Sequence, residues 1–265
     1  IGGKTALDYL IKVKELPFTE AVERIVGRAA ERPSVFHARA QPEKPKTLLL
    51  PPKSNSNTRV IAYLKSRSID GGLIEQCIRS GQLYESLPHH NAVFVGMDRN
   101  GTLRYACLRG IGTDFKGEAT GSDKRFSFAL PATGESRMLC VFESAIDLLS
   151  YATMAQAGGL SWRSQHLLSL AGVYKPQKET QEHRLPLALT QYLKDHAEIK
   201  TICLCLDNDM TGRSATEAIR QQLAERYKVA SAFPRQGKDY NDWLCIRMGL
   251  QPAKENPMTE RSFAR

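Results

Sequence analysis

The chain has 265 residues, of which 42% are hydrophobic, and its formal net charge is +9. This composition is typical of a globular protein and excludes a largely disordered chain. No apolar run approaches the roughly 20 residues needed to span a bilayer, and the first residues lack the order of a signal peptide. We therefore expect a cytoplasmic protein without a membrane partner. Because the chain begins with Ile1, we also expect a fragment of a longer protein.

The basic excess lies in the first half of the chain. Residues 1–130 contain 20 Lys and Arg against 13 Asp and Glu, a net +7, whereas residues 131–265 contain 17 against 15, a net +2. Contacts to phosphates dominate affinity for nucleic acids, so a basic surface beside an acidic site suits a nucleic-acid enzyme. Charge alone is equally compatible with ordinary solubility.

Six cysteines are scattered along the chain, and none forms a CxxC pair or has histidines at ligand spacing beside it. We therefore do not expect a structural zinc site within this chain. The scatter is typical of a reducing compartment.

The first half is predicted to contain three parts. Residues 1–30 have helical spacing, residues 31–57 form a proline-rich linker, and residues 58–135 form a small α+β subdomain. Within that subdomain, residues 58–80 are predicted to be helical and residues 92–112 to form a hairpin around the turn at 98–101. Residues 126–130 have the composition of a strand.

Strands and helices alternate from residue 138 onward. Predicted strands at 138–142, 201–206 and 229–233 precede predicted helices at about 144–156, 211–226 and 239–249. This alternation predicts an α/β domain over residues 136–250, with a parallel sheet flanked by helices. Residues 251–265 are a C-terminal tail, and the stretch 158–200 has no interpretable motif.

Acidic residues follow each predicted strand of this domain. Glu143 follows the first, Asp207 and Asp209 the second, and Asp239 and Asp242 the third. Since ligand sites of parallel sheets lie at the carboxyl ends of strands, we expect these carboxylates to converge. Their repulsion favours a hard divalent cation, Mg²⁺ or Mn²⁺. Taken singly, each acid is weak evidence, because a residue such as Asp209 could simply cap a helix.

Three segments of the C-terminal half resemble the motifs of Toprim domains. Residues 141–147 (Val-Phe-Glu-Ser-Ala-Ile-Asp) resemble the first motif, and residues 206–212 (Leu-Asp-Asn-Asp-Met-Thr-Gly) resemble the second. Residues 237–242 (Gly-Lys-Asp-Tyr-Asn-Asp) resemble the third acidic motif of primase-like members. Residues 169–172 occupy the place of a short Gly-containing turn.

The upstream half resembles the catalytic core of bacterial DnaG-type primases, especially the primase-like Toprim proteins of plasmids and conjugative elements. The resemblance rests on residues 63–69 with Gly81, the strand-turn-strand segment 93–110, and the basic stretch 121–124. Residues 2–27 resemble the tail that follows a zinc ribbon, which implies such a module upstream. The chain departs from the family pattern at Ser144 and Ser68, where glycine is usual.

The resemblance implies a role for each site residue. Asp207 and Asp209 bind the cations, Glu143 completes the metal shell or acts as general base, and Asp239 and Asp242 support a second metal. Asp147 is either a supporting residue or an ordinary first-turn acid. Four basic residues hold template or nucleotide, or form solvated basic faces: Arg104, Arg109, Lys124 and Arg125. Lys238 either joins them in binding or neutralises the acidic cluster beside it.

The sequence therefore predicts a DNA primase-like nucleotidyltransferase core from a plasmid or mobile element. It would make RNA primers from ribonucleoside triphosphates on single-stranded DNA, with a replicative helicase or relaxase as partner. Two alternatives stay open: a metal-dependent nuclease that uses the same carboxylates, and an inactive nucleic-acid-binding module. A topoisomerase is disfavoured because the chain is too short for the domain that carries a nucleophilic tyrosine.

Overall fold

The computed structural model describes residues 47–171 and 185–251, together with isolated positions between residues 9 and 24. The chain separates into two compact units, residues 1–45 and 46–265. In the first unit, positions 9–11, 20, 21 and 24 are helical. Positions 13, 14 and 16 of the predicted helical segment are not helical. The other positions of that segment, linker residues 31–46, Gly172 and the tail from 252 lie outside the described residues. Within the described ranges, no helix is long and apolar enough to cross a bilayer.

The upstream part of the second unit packs two helices against an antiparallel sheet. The helices are α1 (Thr58–Ser66) and α2 (Gly71–Arg79). The strands are β1 (Leu83–Glu85), β2 (Ala92–Met97), β3 (Leu103–Arg109) and β4 (Lys116–Glu118), in the order β1-β2-β3-β4. The predicted hairpin corresponds to β2 and β3, whereas β1 and β4 were not predicted.

The helical stretch predicted for residues 58–80 is interrupted after α1. Ser68 adopts a left-handed conformation with φ of 63°, which no α-helix accommodates. Asp70 then caps α2, because its side chain accepts a hydrogen bond from the backbone N–H of Leu73 at 2.8 Å. One predicted helical region is therefore two helices.

The second part is a five-stranded sheet with helices around it. Its strands are β5 (Ala129–Leu130), β6 (Met138–Phe142), β7 (His166–Ser169), β8 (Thr201–Cys205) and β9 (Lys228–Ser231), in the order β5-β7-β6-β8-β9. Strands β6 to β9 are parallel, and β5 runs antiparallel to β7 at the edge. The helices are α3 (Ala145–Ala157), α4 (Leu187–Asp195), α5 (Met210–Leu223) and α6 (Tyr240–Arg247).

This architecture confirms the predicted α/β class and the predicted strand-helix alternation. The uninterpreted stretch 158–200 supplies β7, a 3₁₀ turn at Trp162–Ser164, and α4. Strand β7 lies between β5 and β6, so this stretch belongs to the sheet itself. The strand-like segment 126–130 contributes only the two residues of β5.

Alternate side chains of the central strands enter two hydrophobic clusters, as the period of a strand requires. Leu139 and Val141 of β6 face a cluster that includes residues of α4 and α5. Cys140 and Phe142 face the larger cluster, which also includes Phe94 of β2. Because this larger cluster contains residues of α1, α2 and α3, the upstream part and the second sheet share one core.

Candidate active site

Glu143 and Asp207 lie side by side at the carboxyl edge of the second sheet. Phe142 of β6 pairs in register with Cys205 of β8, so the residues that follow each strand leave the sheet at the same level. Asp207 is 8% exposed, and its side chain faces the same space as Glu143. The convergence predicted from the sequence is therefore present.

Burial, reinforced by neighbouring negative charges, raises the pKa of the carboxyl groups at this edge. Burial, reinforced by the negative charges of Asp147 and Asp209, raises the pKa of Glu143 to about 7. Burial and the charge of Glu143 raise the pKa of Asp207 to about 7 as well. Such paired shifts arise when anionic groups share a poorly hydrated space, and a cation bound there would relieve them.

Asp209 has two roles in the structure. Its Oδ1 accepts a hydrogen bond from the backbone N–H of Gly212 at 2.8 Å, so it caps α5. Its Oδ2 lies 3.6 Å from Nζ of Lys238, which is also 3.6 Å from Oδ2 of Asp207. Asp209 therefore caps a helix, as the sequence suggested. Its second oxygen, Oδ2, still faces the site, where Lys238 partly neutralises the charges of Asp207 and Asp209.

Gly212 fixes the close packing of the second motif. A Cβ at this position would collide with the backbone carbonyl oxygen of Asp207. Glycine therefore lets the first turn of α5 approach the strand end and holds both aspartates at one level.

The third motif places Asp239 in the site and Asp242 behind it. Asp239 caps α6 by accepting from the backbone N–H of Asp242 at 2.7 Å, and burial together with the charge of Asp147 raises its pKa. Oδ2 of Asp242 accepts from the backbone N–H of Lys238 at 3.0 Å. Asp242 therefore shapes the loop that carries Lys238, and the proposal that it also holds a metal draws no support from this contact.

A buried layer supports the edge, and its central residue was not predicted. Asn241, which is 3% exposed, donates from Nδ2 to Oγ of Ser150 and to the carbonyl oxygen of Arg67, both at 3.0 Å. Its backbone N–H donates to Oδ1 of Asp147 at 3.3 Å. Asp147 is thus a buried supporting residue, and burial raises its pKa.

The donor set at this edge is composed of carboxylate oxygens, which suits Mg²⁺ or Mn²⁺. Among the described residues, two groups have three ligand atoms within 4.8 Å of one another, and both lie elsewhere. The ligand atoms of the edge carboxylates therefore lie farther apart than those of a site in which protein ligands alone surround the metal. Mg²⁺ is commonly held by one or two carboxylates with waters and phosphate oxygens, so this open spacing fits it.

Comparison with known families assigns the domain that contains this edge. The family Toprim_2, described as Toprim-like, matches residues 140–244. Residues 140–244 are a Toprim-like domain. Residues 62–134 match a second family, described as a protein of unknown function (DUF3991). The boundary between the two matches falls between β5 and β6.

Individual relatives cover different shares of the chain. A 65 kDa protein of Zymomonas mobilis is 26% identical over 212 residues, which are 76% of this chain and 33% of that protein. The chain thus spans about one third of the length of this curated relative. The primase fragment of the bacteriophage T7 primase-helicase protein is 19% identical with a TM-score of 0.46, covering 70% of this chain and 69% of that one.

The E. coli primase catalytic core is 15% identical with a TM-score of 0.46, covering 73% of this chain and 70% of that one. With TM-scores below 0.5, neither structure assigns an activity to this chain.

A groove of about 400 Å³ lies between the Toprim-like domain and the upstream sheet. Glu143 and Ser144 line it on one side, and Arg109 of β3 and Lys116 of β4 line it on the other. Arg109 was predicted as a binding residue, whereas Lys116 was missed because β4 is only three residues long. The groove brings two cationic side chains opposite the carboxylate edge.

The other predicted basic residues are engaged with neighbouring acids. Arg104 lies 2.8 Å from Asp98, Lys124 lies 3.0 Å from Glu118, and Arg125 lies 2.6 Å from Asp123. Arg104 and Arg125 also approach the ring of Phe126, at 6.0 and 5.5 Å from its centroid. These three residues do not line the groove beside Glu143, so the structure separates them from Arg109.

A wider groove of about 780 Å³ runs beside α1. Its lining includes Arg59, Tyr63 and Arg67, with the turn at residues 110–114 opposite. The guanidinium of Arg67 lies 5.0 Å from the centre of the Tyr63 ring. This groove combines cationic groups with an aromatic face.

Proposed function

We propose that this chain is the core of a DNA primase-like nucleotidyltransferase that extends RNA primers on single-stranded DNA. The observation that carries the proposal is the carboxylate edge of the Toprim-like domain, where Glu143 and Asp207 each have a pKa raised to about 7. A groove with basic residues opens directly onto that edge. Phosphoryl transfer needs this combination of cation-binding oxygens and phosphate-binding cations.

Asp207 and Asp209 are the proposed ligands for Mg²⁺ or Mn²⁺. Their Oδ2 atoms face the same ammonium group at 3.6 Å, so both point into the space that a cation would occupy. Asp239 adds a third buried carboxylate for a second cation. When bound, the divalent cations neutralise charge on the phosphates and lower the pKa of the attacking hydroxyl.

Glu143 is the proposed proton acceptor. A general base works best when its pKa is near the working pH, and burial places the pKa of Glu143 at about 7. It sits at the mouth of the groove, where a primer 3′-hydroxyl would meet the cation-binding aspartates. Its carboxylate can equally complete the cation shell.

Arg109 and Lys116 are the proposed triphosphate-binding residues. Both line the groove opposite Glu143, so a nucleotide bound in the groove would lie between them and the carboxylate. A guanidinium can hold two phosphate oxygens at once, and an ammonium supplies a compact positive charge. Lys238 lies beside Asp207 and Asp209 and offers a third positively charged side chain.

The wider groove beside α1 is the proposed path of the template strand. Bases of single strands stack on aromatic faces while cationic side chains follow the backbone. Tyr63 and Arg59 supply these two elements without belonging to the carboxylate edge. A replicative helicase or relaxase is the proposed partner that delivers the strand.

The test is incorporation of labelled ribonucleotides on a single-stranded DNA template with Mg²⁺ or Mn²⁺. Asp207→Asn combined with Asp209→Asn should reduce incorporation at least about a hundredfold, because it removes the charges that hold the cations. Glu217→Gln is the matched control, since Glu217 is an exposed acid on α5 and should leave incorporation unchanged.

The same assay distinguishes the competing functions. Degradation of the template without incorporation, lost in the Asp207 and Asp209 variant, would replace the proposal with a nuclease. Binding of single-stranded DNA with neither incorporation nor degradation would replace it with an inactive binding module. Incorporation that survives the double substitution would contradict the assigned cation site.

A further inference from the structure

A second polar cluster lies at the opposite edge of the same sheet. His166 is the first residue of β7 and pairs with Leu139 near the start of β6, so it lies at the amino edge of the parallel strands. His196 directly follows α4, and Glu198 precedes β8. The ligand atoms of these three side chains all lie within 4.8 Å of one another.

One nitrogen of this cluster lacks a hydrogen bond. His166 is 4% exposed, and its Nε2 has no hydrogen-bond partner among the residues that the structure describes. Buried polar atoms nearly always have partners, so this nitrogen requires an explanation. Oε1 of Glu198 lies 3.8 Å from it, which is too long for a hydrogen bond.

The geometry around Glu198 matches the spacing of tetrahedral ligands. Oε1 lies 3.0 Å from Nδ1 of His196 and 3.8 Å from Nε2 of His166. Ligands about 2.0–2.1 Å from a tetrahedral ion lie about 3.4 Å from one another. A small movement of the half-exposed Glu198 would bring its Oε1 to about that separation from both nitrogens, which lie within 4.8 Å of one another.

One tautomer of His166 presents Nε2 as a metal ligand. In that tautomer Nδ1–H donates a hydrogen bond to the hydroxyl oxygen of Tyr192, 3.0 Å away. The backbone N–H of Ala132, 3.4 Å from Nδ1, can only donate and therefore suits the other tautomer, so metal binding must release this longer contact.

We propose that His166, His196 and Glu198 bind one divalent cation of the zinc class at the amino edge of the Toprim-like domain. Two imidazoles and a carboxylate are a set that zinc accepts, with a water in the fourth position. The ion ties the end of α4 to β7 and to the segment that enters β8. It therefore secures the stretch 158–200 to the sheet, far in the fold from the carboxylate edge.

The cysteine group is the competing zinc site within the described residues. Cys140, Cys203 and Cys205 are also mutually close, but each thiol has a contact. Sγ of Cys140 reaches Gln165 at 3.2 Å, and Sγ of Cys205 reaches Sγ of Cys203 at 3.7 Å. These thiols also belong to the main apolar core, where packing explains them.

The experiment uses the whole 265-residue chain, freed of metal by a chelator and titrated with Zn²⁺ in excess Mg²⁺. We expect one bound zinc, and a strong visible absorption band when Co²⁺ replaces it, since tetrahedral Co²⁺ absorbs far more strongly than octahedral Co²⁺. His196→Ala and Glu198→Gln should each weaken zinc binding by more than about tenfold. His89→Ala, at an exposed histidine outside the cluster, should leave it unchanged.

Two further variants keep the test independent of folding. Tyr192→Phe removes only the hydroxyl beside Nδ1 and should weaken zinc about 10–100-fold in a folded chain. Cys203→Ser should leave zinc affinity and the cobalt spectrum unchanged. Wild-type chain that binds no zinc, His196→Ala that binds it normally, or loss of binding in Cys203→Ser would each overturn the proposal.

Discussion

The two edges of the parallel sheet differ in the chemistry that the same strands present. At the carboxyl edge, Glu143 and Asp207 follow β6 and β8 and repel each other in a poorly hydrated space. At the amino edge, His166 begins β7 beside His196 and Glu198, and its buried Nε2 has no hydrogen-bond partner among the described residues. The first edge carries surplus negative charge, whereas the second carries a buried imidazole nitrogen without a hydrogen bond.

This difference indicates which cations each edge can hold. Carboxylates that repel each other suit a hard ion that keeps its waters and exchanges them for phosphate oxygens. Imidazole nitrogens suit a softer ion held in a fixed geometry. We therefore propose that the carboxyl edge serves turnover and the amino edge structure, and the following predictions test that division.

The largest expected effect on activity comes from a substitution at the carboxyl edge, compared with one at the amino edge. Glu143→Gln should reduce ribonucleotide incorporation at least about a hundredfold, because the amide neither accepts the proton nor carries the charge. His196→Ala should leave incorporation within about twofold, measured where circular dichroism shows that both variants are folded. Equal losses in the two variants would remove the proposed division of roles.

A backbone substitution tests the packing at the carboxyl edge. Gly212→Ala should lower the free energy of unfolding by about 2–3 kcal/mol, because its Cβ would collide with the Asp207 carbonyl. Gly158→Ala is the matched control: a Cβ there meets Met154 at 3.4 Å, an ordinary contact, so stability should change little. Denaturant titration measures both. A Gly212→Ala protein of unchanged stability would show that the first turn of α5 does not pack closely against the Asp207 backbone.

The raised pKa values of Glu143 and Asp207 predict a pH dependence of stability without metal. Between the ordinary carboxyl pKa and about 7, the folded chain holds more protons than the unfolded chain, so the free energy of unfolding falls as pH rises. We expect the wild type to lose about 1–2 kcal/mol more between about pH 5 and pH 8 than a Glu143→Gln, Asp207→Asn double variant.

Thermal melts at each pH measure this difference. Excess Mg²⁺ should restore the stability of the wild type at about pH 8. It should have little effect on stability at about pH 5, where the carboxyls are protonated. The double variant should respond to Mg²⁺ at neither pH. If the stability of the two proteins falls equally with rising pH, these carboxyls do not face one another in solution.

The smallest effect concerns the basic residues. Arg109→Ala should weaken binding of a ribonucleoside triphosphate about tenfold, because it removes a cation from the groove. Arg125→Ala should change it by less than about twofold, because Arg125 is exposed and already paired with Asp123, away from the groove. Equilibrium binding with a fluorescent nucleotide compares the two variants. A larger loss in Arg125→Ala would place the nucleotide outside the groove.

The carboxylate edge could be predicted because strand ends are visible in sequence. Apolar runs before Glu143 and Asp207 marked two buried strands, and parallel pairing brings such ends together. The close packing at Gly212 and the helix cap at Asp209 also follow from residues that are near one another in the sequence. These features depend on residues close together in the chain, or on a periodic pattern.

The remaining features depend on contacts that no local pattern records. Strands β1 and β4 have three residues each, too few to show alternation, so Lys116 was not recognised as facing the groove. Asn241 acquires its partners only when α6 packs beside α3 and the end of α1. The cluster of His166, His196 and Glu198 joins β7 to the loop between α4 and β8, about 30 residues away, which is why the spacing of metal ligands in the sequence did not predict it.

The buried amide of Asn241 bears on how this chain can be divided or recombined. It joins Arg67, upstream of α2, to Ser150 in the first helix of the Toprim-like domain, and Phe94 and Phe142 share the apolar cluster beneath it. A chain cut between residues 135 and 136 would leave these groups facing water on both halves. In chimeras with other chains that carry a Toprim-like domain, both parts must therefore be exchanged together.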